Sequence, residues 1–374
     1  MRVVIAAAGT GGHINPAIAI ANKIMKEQPE SKIIFIGTSR GLENDLVPRA
    51  GYELKHIEAY GISREISIKN IKRLYKTYKS IGEAKKILLD FKPDVVIGTG
   101  GYICVSVGKA AQKLNIPIIL HESNAFPGVA VKMLSKHVNS ILLGFEDAKS
   151  RLPKAKRLVV TGTPSKIKKV NYSKIEKQEK LRSMRLKNVN IPVVLIFGGS
   201  QGAQSINNAV IGIIENKLNK NYQIIWAAGS GNYDEVKKEL SNKNINIDNI
   251  ENIKILPYIY NMQEIMNMAD LVVCRSGAMT ITEITILQKP AIFIPFPFAA
   301  ENHQEYNAKV LTKIGAAKMI LDKNLNPQIL NEQINNIVNN EGLMLQMSEN
   351  AGKIKIENVE EKIYSEIKEN INGR

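Results

Sequence analysis

Val3-Val4-Ile5-Ala6-Ala7-Ala8-Gly9-Thr10-Gly11-Gly12-His13 and Val193-Val194-Leu195-Ile196-Phe197-Gly198-Gly199-Ser200-Gln201-Gly202-Ala203 share one pattern. An apolar run of strand length meets a glycine-rich turn, and a helical pattern follows. A strand buried on both faces reads as a continuous apolar run. Strand, glycine turn and helix start together aim backbone N–H groups and a helix N-terminus at an anion. Two such starts, roughly 190 residues apart, predict two domains in one chain. The 374 residues exceed the size at which one core stops growing, and 44% hydrophobic content fills two. The fold class that follows is α/β, two Rossmann-like parallel-sheet domains facing a cleft, with that cleft as the expected ligand site.

Strands alternate with helices outward from both starts. Ile33–Ile36, residues 93–100, Ile116–Leu120, Ser140–Leu143 and Leu158–Val160 read as strands of the first domain. Val193–Phe197, Gln223–Ala227, Asn252–Leu256, Leu271–Cys274 and Ala291–Ile294 read as strands of the second. This rhythm predicts parallel sheets with right-handed crossovers. The polar, Lys-rich stretch Thr161–Lys187, broken by Pro164, marks the boundary, giving domains 1–162 and 163–349.

Net charge is +16 and uneven: residues 1–162 carry 25 Lys/Arg against 13 Asp/Glu, and residues 163–374 carry 26 against 22. The basic first half predicts an anionic partner, either nucleic acid, lipid headgroups or a phosphorylated substrate. Ile68, Ile71, Leu74, Tyr75, Tyr78, Ile81 and Leu88 fall at helical spacing, with Lys69, Lys72, Arg73, Lys76, Lys79, Lys85 and Lys86 between them. That is a basic amphipathic helix, read as a core-facing stripe with a solvated back or as a surface resting on anionic lipid. Two cysteines, Cys104 and Cys274, exclude a disulfide scaffold and a cysteine metal site. No cleavable leader pattern follows Met1 and no apolar run reaches the ~18 residues that span a bilayer, so the expectation is a soluble or peripheral protein.

Chemistry should sit on the turns after the strands. Gly9-Thr10-Gly11-Gly12-His13 approaches a dinucleotide fingerprint but lacks the acid after the second strand, where Thr38-Ser39-Arg40 stand. His13 at a helix start meets the positive end of the dipole, which favours a neutral ring able to accept a proton; a capping histidine is the alternative. Thr99–Tyr102 and His121-Glu122-Ser123-Asn124 follow two further strands, with His121 and Glu122 also readable as satisfied interior groups. Leu271–Glu283 runs strand, turn and helix. The N–H groups near Ala278–Thr280 should face an anion, and Glu283, which would repel a phosphate, suits ribose hydroxyls. Glu301-Asn302-His303-Gln304 suits a hydroxyl-rich ligand. There is no Asp-x-Asp pair, no Cys/His metal spacing and no P-loop lysine. Neutralisation of phosphate therefore falls to helix ends, N–H groups and basic side chains, with neither metal nor cofactor expected.

Taken in order, Gly-Thr-Gly-Gly-His, Gly-Gly-Tyr, His-Glu-Ser-Asn, Gly-Gly-Ser-Gln-Gly-Ala, Cys-Arg-Ser-Gly-Ala-Met-Thr and Asn-His-Gln resemble the MurG family. These are bacterial UDP-N-acetylglucosamine:lipid I N-acetylglucosaminyltransferases. The matches run from residue 5 to about residue 310. The resemblance implies a glycosyltransferase B-type fold, with an N-terminal acceptor and membrane-facing domain and a C-terminal donor domain. It also implies that the helix near residues 350–370 returns to the first domain. By motif it implies uracil at the backbone of Ile259, ribose at Glu283, and diphosphate at Ser200, Met279 and Thr280. The sugar would meet Ala278, His303 and Gln304, with Thr10, Gly11, Gly12, His13 and Asn124 facing it from the other domain. Lys166 stands where many relatives carry Arg, keeping the charge but losing the planar fork. Glu305 stands where some carry a second Gln. The implied partners are UDP-N-acetylglucosamine, lipid I and the anionic inner leaflet of the membrane, without nucleic acid. The implied place is the cytoplasmic membrane face. A transferase with another sugar donor or lipid acceptor, a nicotinamide-dependent oxidoreductase and a non-catalytic basic scaffold are the alternatives.

Overall fold

The computed structural model describes residues 1–60, 68–186, 189–199, 201–246 and 252–373, with residues 68–75 and 77 described by their backbone alone. Contacts divide the chain into two units, Met1–Lys166 with Ile356–Arg374, and Ile167–Lys355.

The first unit is built on seven parallel strands, β1 (Arg2–Ala7), β2 (Lys32–Gly37), β3 (Glu53–His56), β4 (Val95–Gly100), β5 (Ile118–Glu122), β6 (Ser140–Leu143) and β7 (Leu158–Val160). Their order across the sheet is β3-β2-β1-β4-β5-β6-β7. Val3 stands opposite Ile33 on one side and Val95 on the other. Because successive strand residues point to opposite faces, β1 feeds two cores. Val4 and Ala6 join Ile34, Ile36, Ala84, Leu88, Val107 and Ala110 on one face. Val3 and Ile5 join Phe35, Ile14, Ile18, Ile363 and Ile367 on the other. The charged helix Ile68–Phe91 buries Ala84 and Leu88 and exposes Lys79, Lys85 and Lys86, so its part from Ser80 on is a core stripe with a basic solvated back. Tyr78 of the apolar set is exposed, and the side chains of Ile68, Ile71, Leu74 and Tyr75 lie outside the described residues.

The C-terminal helix Val359–Asn372 belongs to this unit. Ile363 and Ile367 bury into the core beneath helix Gly11–Glu27. Polar clasps flank the apolar contact. The ammonium of Lys23 donates to Glu361 at 2.8 Å and Glu27 at 2.9 Å. These bonds, the one to Glu361 first, hold Lys23 protonated against the cost of burial. Arg157 grips Glu366 and Glu369, and Asn370 donates to Ser140 Oγ.

The second unit repeats the plan with six parallel strands, β8 (Val193–Phe197), β9 (Gln223–Ala227), β10 (Ile253–Leu256), β11 (Leu271–Cys274), β12 (Ala291–Phe293) and β13 (Ala317–Met319). Their order is β10-β9-β8-β11-β12-β13. Its core gathers Val194, Ile196, Ile224, Trp226, Val273 and Ile292 with residues of helices Gln204–Glu215 and Pro327–Val338. Every strand read from the sequence is present. The strands missed, β3 and β13, both lie at sheet edges. β3 (Glu-Leu-Lys-His) is polar and largely exposed, and β13 is three residues long, so neither carries an apolar run to read.

Ile367→Ala should cost about 2–5 kcal/mol of first-unit stability. Far-UV circular dichroism in denaturant should show the first unit's transition moved. Emission of the single tryptophan, Trp226, buried in the second unit, should keep its midpoint. Equal movement of both signals would mean that the two cores do not unfold separately.

Candidate active site

In a parallel sheet the turns at the strands' carboxyl ends collect on one edge, where α/β folds bind ligands. The first unit places Thr10–His13 after β1, Gly101 and Tyr102 after β4, and Asn124 after β5, all on that edge. Gly9 turns the chain at φ +99°. Thr10 is the N-cap of helix Gly11–Glu27, whose first turn holds no acidic residue. The N–H groups of His13 and Ile14 donate to the Thr10 carbonyl, and Thr99 Oγ1 donates to the carbonyl of His13 at 2.8 Å. Gly100, at φ +136°, lies against the His13 ring, and a Cβ there would come 2.0 Å from Nδ1. Only glycine leaves the imidazole its place.

Two acids hold these turns: Glu43, which no motif had marked, and Glu122, already readable as a satisfied interior group. Glu43 is fully buried. One oxygen accepts the Gly9 N–H at 2.9 Å; the other accepts the N–H and hydroxyl of Thr38 at 2.9 and 2.7 Å. Burial pushes this carboxyl up, but the donors from Gly9 and Thr38 outweigh it and the net shift is downward. Glu122, buried at the end of β5, accepts from both N–H groups of Asn124, backbone and side chain, and from Gly128 N–H at 2.7 Å. Burial outweighs those donors and raises it. His121 donates Nε2–H to the Gly162 carbonyl and accepts from Ser123 at Nδ1. Burial drives its pKa down to about 4, so it is a neutral interior group. Both members of the pair are interior groups, and it is Glu122 that holds Asn124. Lys166 lies exposed at a bend.

The second unit places Gly198–Gly202 after β8, Ile259 beyond β10 and Ala278–Glu283 after β11. Ser200 lies outside the described residues. Its neighbours Gly199 and Gly202 have φ of +94° and +76°, and a Cβ on Gly202 would meet the Ala228 carbonyl at 2.3 Å. Helix Ala278–Leu287 starts at Gly277 with no side-chain cap and no acid in its first turn. The N–H groups of Ala278, Met279 and Thr280 are thus left for an external acceptor. One turn on, Glu283 has no hydrogen-bond partner among the described residues, and burial alone raises its pKa to about 7.

Around that helix start the polar groups are fixed. Buried Ser276 donates to the Gln304 carbonyl, and Gln304 Oε1 accepts the Phe296 N–H, so its side chain is anchored by the oxygen and its NH2 carries the donors. His303 donates Nδ1–H to the Ala300 carbonyl at 2.8 Å, which leaves Nε2 as the acceptor in the neutral ring. Glu301 and Asn302 both take φ of 54° just before it, a strained entry of the kind found at functional sites. Glu305 is occupied by Lys309 and Asn302, which hold it below the usual carboxylate range. Arg275, the basic residue nearest the turn, is spent on the Ile294 and Pro295 carbonyls, Ser205 and Asp322. Ile259 is buried, while Tyr258 and Tyr260 flank it exposed. Among the described residues no three His, Cys, Asp or Glu side chains gather as a metal cluster.

Comparison with known proteins agrees with this arrangement. Residues 3–143 match the glycosyltransferase family 28 N-terminal domain, and residues 193–363 its C-terminal domain. A UDP-N-acetylglucosamine–N-acetylmuramyl-(pentapeptide) pyrophosphoryl-undecaprenol N-acetylglucosamine transferase from Acetivibrio thermocellus is 42% identical, covering 99% of this chain and 98% of its own. A protein of the same name from Clostridioides difficile is 41% identical over 98% of this chain and 88% of its own. The crystal structure of MurG from Acinetobacter baumannii superposes with a TM-score of 0.79 at 27% identity, covering 98% of this chain and 99% of that one. The chain therefore belongs to glycosyltransferase family 28, among the UDP-N-acetylglucosamine–N-acetylmuramyl-(pentapeptide) pyrophosphoryl-undecaprenol N-acetylglucosamine transferases.

Proposed function

We propose that this enzyme transfers N-acetylglucosamine from UDP to the C4 hydroxyl of the N-acetylmuramyl sugar of lipid I, with inversion, to give lipid II. The observation that carries the donor side is the uncapped helix start at Ala278–Thr280, with a largely desolvated Glu283 one turn further on that has no hydrogen-bond partner among the described residues. An anion belongs at the first and hydroxyl donors at the second, as in a nucleotide diphosphate read from phosphate to ribose. Leaving-group charge builds on the diphosphate as the sugar departs, and the N–H groups of Ala278, Met279 and Thr280 are suited to meet it. Ser200 is proposed to join them, and the Ile259 backbone, which makes no hydrogen bond among the described residues, to take the uracil. The side-chain NH2 of Gln304 and Nε2 of His303 are proposed for the sugar hydroxyls.

On the acceptor side His13 is proposed as the general base. It removes the C4 hydroxyl proton as that oxygen bonds to the anomeric carbon and the bond to the UDP oxygen breaks. Thr10, Gly11, Gly12 and Asn124 frame it, and Lys166 contributes positive charge. The first unit is assigned the acceptor and the membrane, the second the donor. Among the described residues no helix is long and apolar enough to cross a bilayer. The excess of Lys and Arg in residues 1–162 supports a peripheral seat on the anionic cytoplasmic face instead.

Release of UDP from UDP-N-acetylglucosamine in EDTA should depend on a lipid I analogue. Binding of the nucleotide sugar without acceptor-dependent release would contradict the assigned acceptor. Loss of release in EDTA, restored by a divalent cation, would contradict the metal-free route. Vesicles containing anionic lipid should bind the enzyme, and binding should weaken as salt rises through about 0.1–1 M, where the Debye length falls from ~10 to ~3 Å. Equal binding to neutral vesicles would contradict the electrostatic part.

A further inference from the structure

The first glycine turn has an internal anion. Glu43 lies on the short helix Glu43–Arg49, beyond the turn that follows β2. Its carboxylate reaches back to take three donors from two separate turns, Gly9 N–H, Thr38 N–H and Thr38 Oγ1–H. Two glycines make room for it. A Cβ on Gly41 would lie 2.0 Å from Oε2, and one on Gly37 would lie 2.8 Å from Cγ. The Leu42 N–H returns a bond to the Gly9 carbonyl at 3.1 Å. Gly9 is thus held from both its N–H and its carbonyl. The next residue, Thr10, caps the helix that begins the His13 turn, and its carbonyl receives the His13 N–H at 3.0 Å.

We infer that Glu43 is a positioning residue for the transfer reaction, its carboxylate fixing the Gly9–His13 turn so that His13 meets the acceptor hydroxyl. The inference rests on the proposed role of His13 as base. It separates Glu43 from the donor machinery, since among the described residues the hydrogen bonds of its carboxylate go to turns of the first unit. Three donors on two oxygens require acceptor lone pairs on both. Glutamine supplies them on one, and its NH2 would face either the Gly9 or the Thr38 N–H, donor against donor. The turn should then shift. Misplacement by a fraction of an ångström to about 1 Å costs on the order of 10–100-fold in rate.

The experiment is steady-state kinetics of full-length Glu43→Gln, His13→Ala and the double variant with UDP-N-acetylglucosamine and a lipid I analogue, with circular dichroism to confirm folding. Glu43→Gln should lower kcat by roughly 10–100-fold and leave KM for UDP-N-acetylglucosamine within about twofold. The double variant should be no slower than His13→Ala alone, because a displaced base and an absent base are equivalent. Gly41→Ala, which keeps the carboxylate but drives it off its place, should reproduce the kcat loss and serves if Glu43→Gln fails to fold. Full turnover by Glu43→Gln beside a crippled His13→Ala overturns this inference alone. Losses that multiply in the double variant overturn it too, since Glu43 would then act apart from His13. Full turnover by His13→Ala overturns the base assignment and this inference with it.

Discussion

A carboxyl group largely withdrawn from water with no hydrogen-bond partner costs folding free energy, and Glu283, which has none among the described residues, is one. The rest of the proposed donor side is arranged around it. The helix that carries it starts at an uncapped glycine, so three N–H groups stand open one turn away. The nearby basic residue, Arg275, is committed to carbonyls, Ser205 and Asp322 and does not neutralise it. Ser276 and Gln304 brace the neighbouring helix against the turn. The open N–H groups and the unpaired acid each lack what the other end of a nucleotide diphosphate provides: anionic oxygens for the first, hydroxyl protons for the second.

The first unit starts from the same strand, turn and helix and reaches the opposite state. There the acid, Glu43, is deeply buried and fully satisfied, and the donor it takes is the N–H of the glycine turn itself. A turn already holding a carboxylate repels a phosphate. This gives a physical reason why a nicotinamide dinucleotide does not suit the first turn, beyond the absence of an acid directly after β2. The same bonds hold the turn, which suits the role proposed for His13. Similar turns thus meet acids from different elements: in the first unit Glu43 of the helix after β2 is paired with the turn, and in the second Glu283 of the turn's own helix is not.

Much of this was legible in the sequence because it depends on local pattern. Continuous apolar runs mark strands buried on both faces, and glycines mark turns that need positive φ, as at Gly9 and Gly199. Edge strands such as β3 bury too little to carry the pattern. Thr10–His13, Asn124 and Ala278–Glu283 could be proposed from the sequence because each follows a strand's carboxyl end, where the structure places them. Glu43 and the Gly100–His13 contact were not found, because they join segments 34 and about 87 residues apart. Gly37 and Gly41 on either side of an approaching acid were the available sign. The interior roles of His121 and Glu122 depended on burial, which residue type alone does not fix.

The most direct test is a carboxyl 13C NMR titration of Glu283, assigned by its absence in Glu283→Gln, with and without saturating UDP. The free enzyme should titrate near 7, because burial disfavours the charge and nothing nearby compensates it. With UDP bound the value should fall, because ribose hydroxyls donate to the carboxylate and favour its charged form. UDP affinity must then rise with pH up to about 7 and level off above it, and lose that dependence in Glu283→Gln. A Glu283 that titrates as an ordinary carboxylate, or whose pKa is unmoved by UDP, would contradict the placement of the nucleotide on this helix.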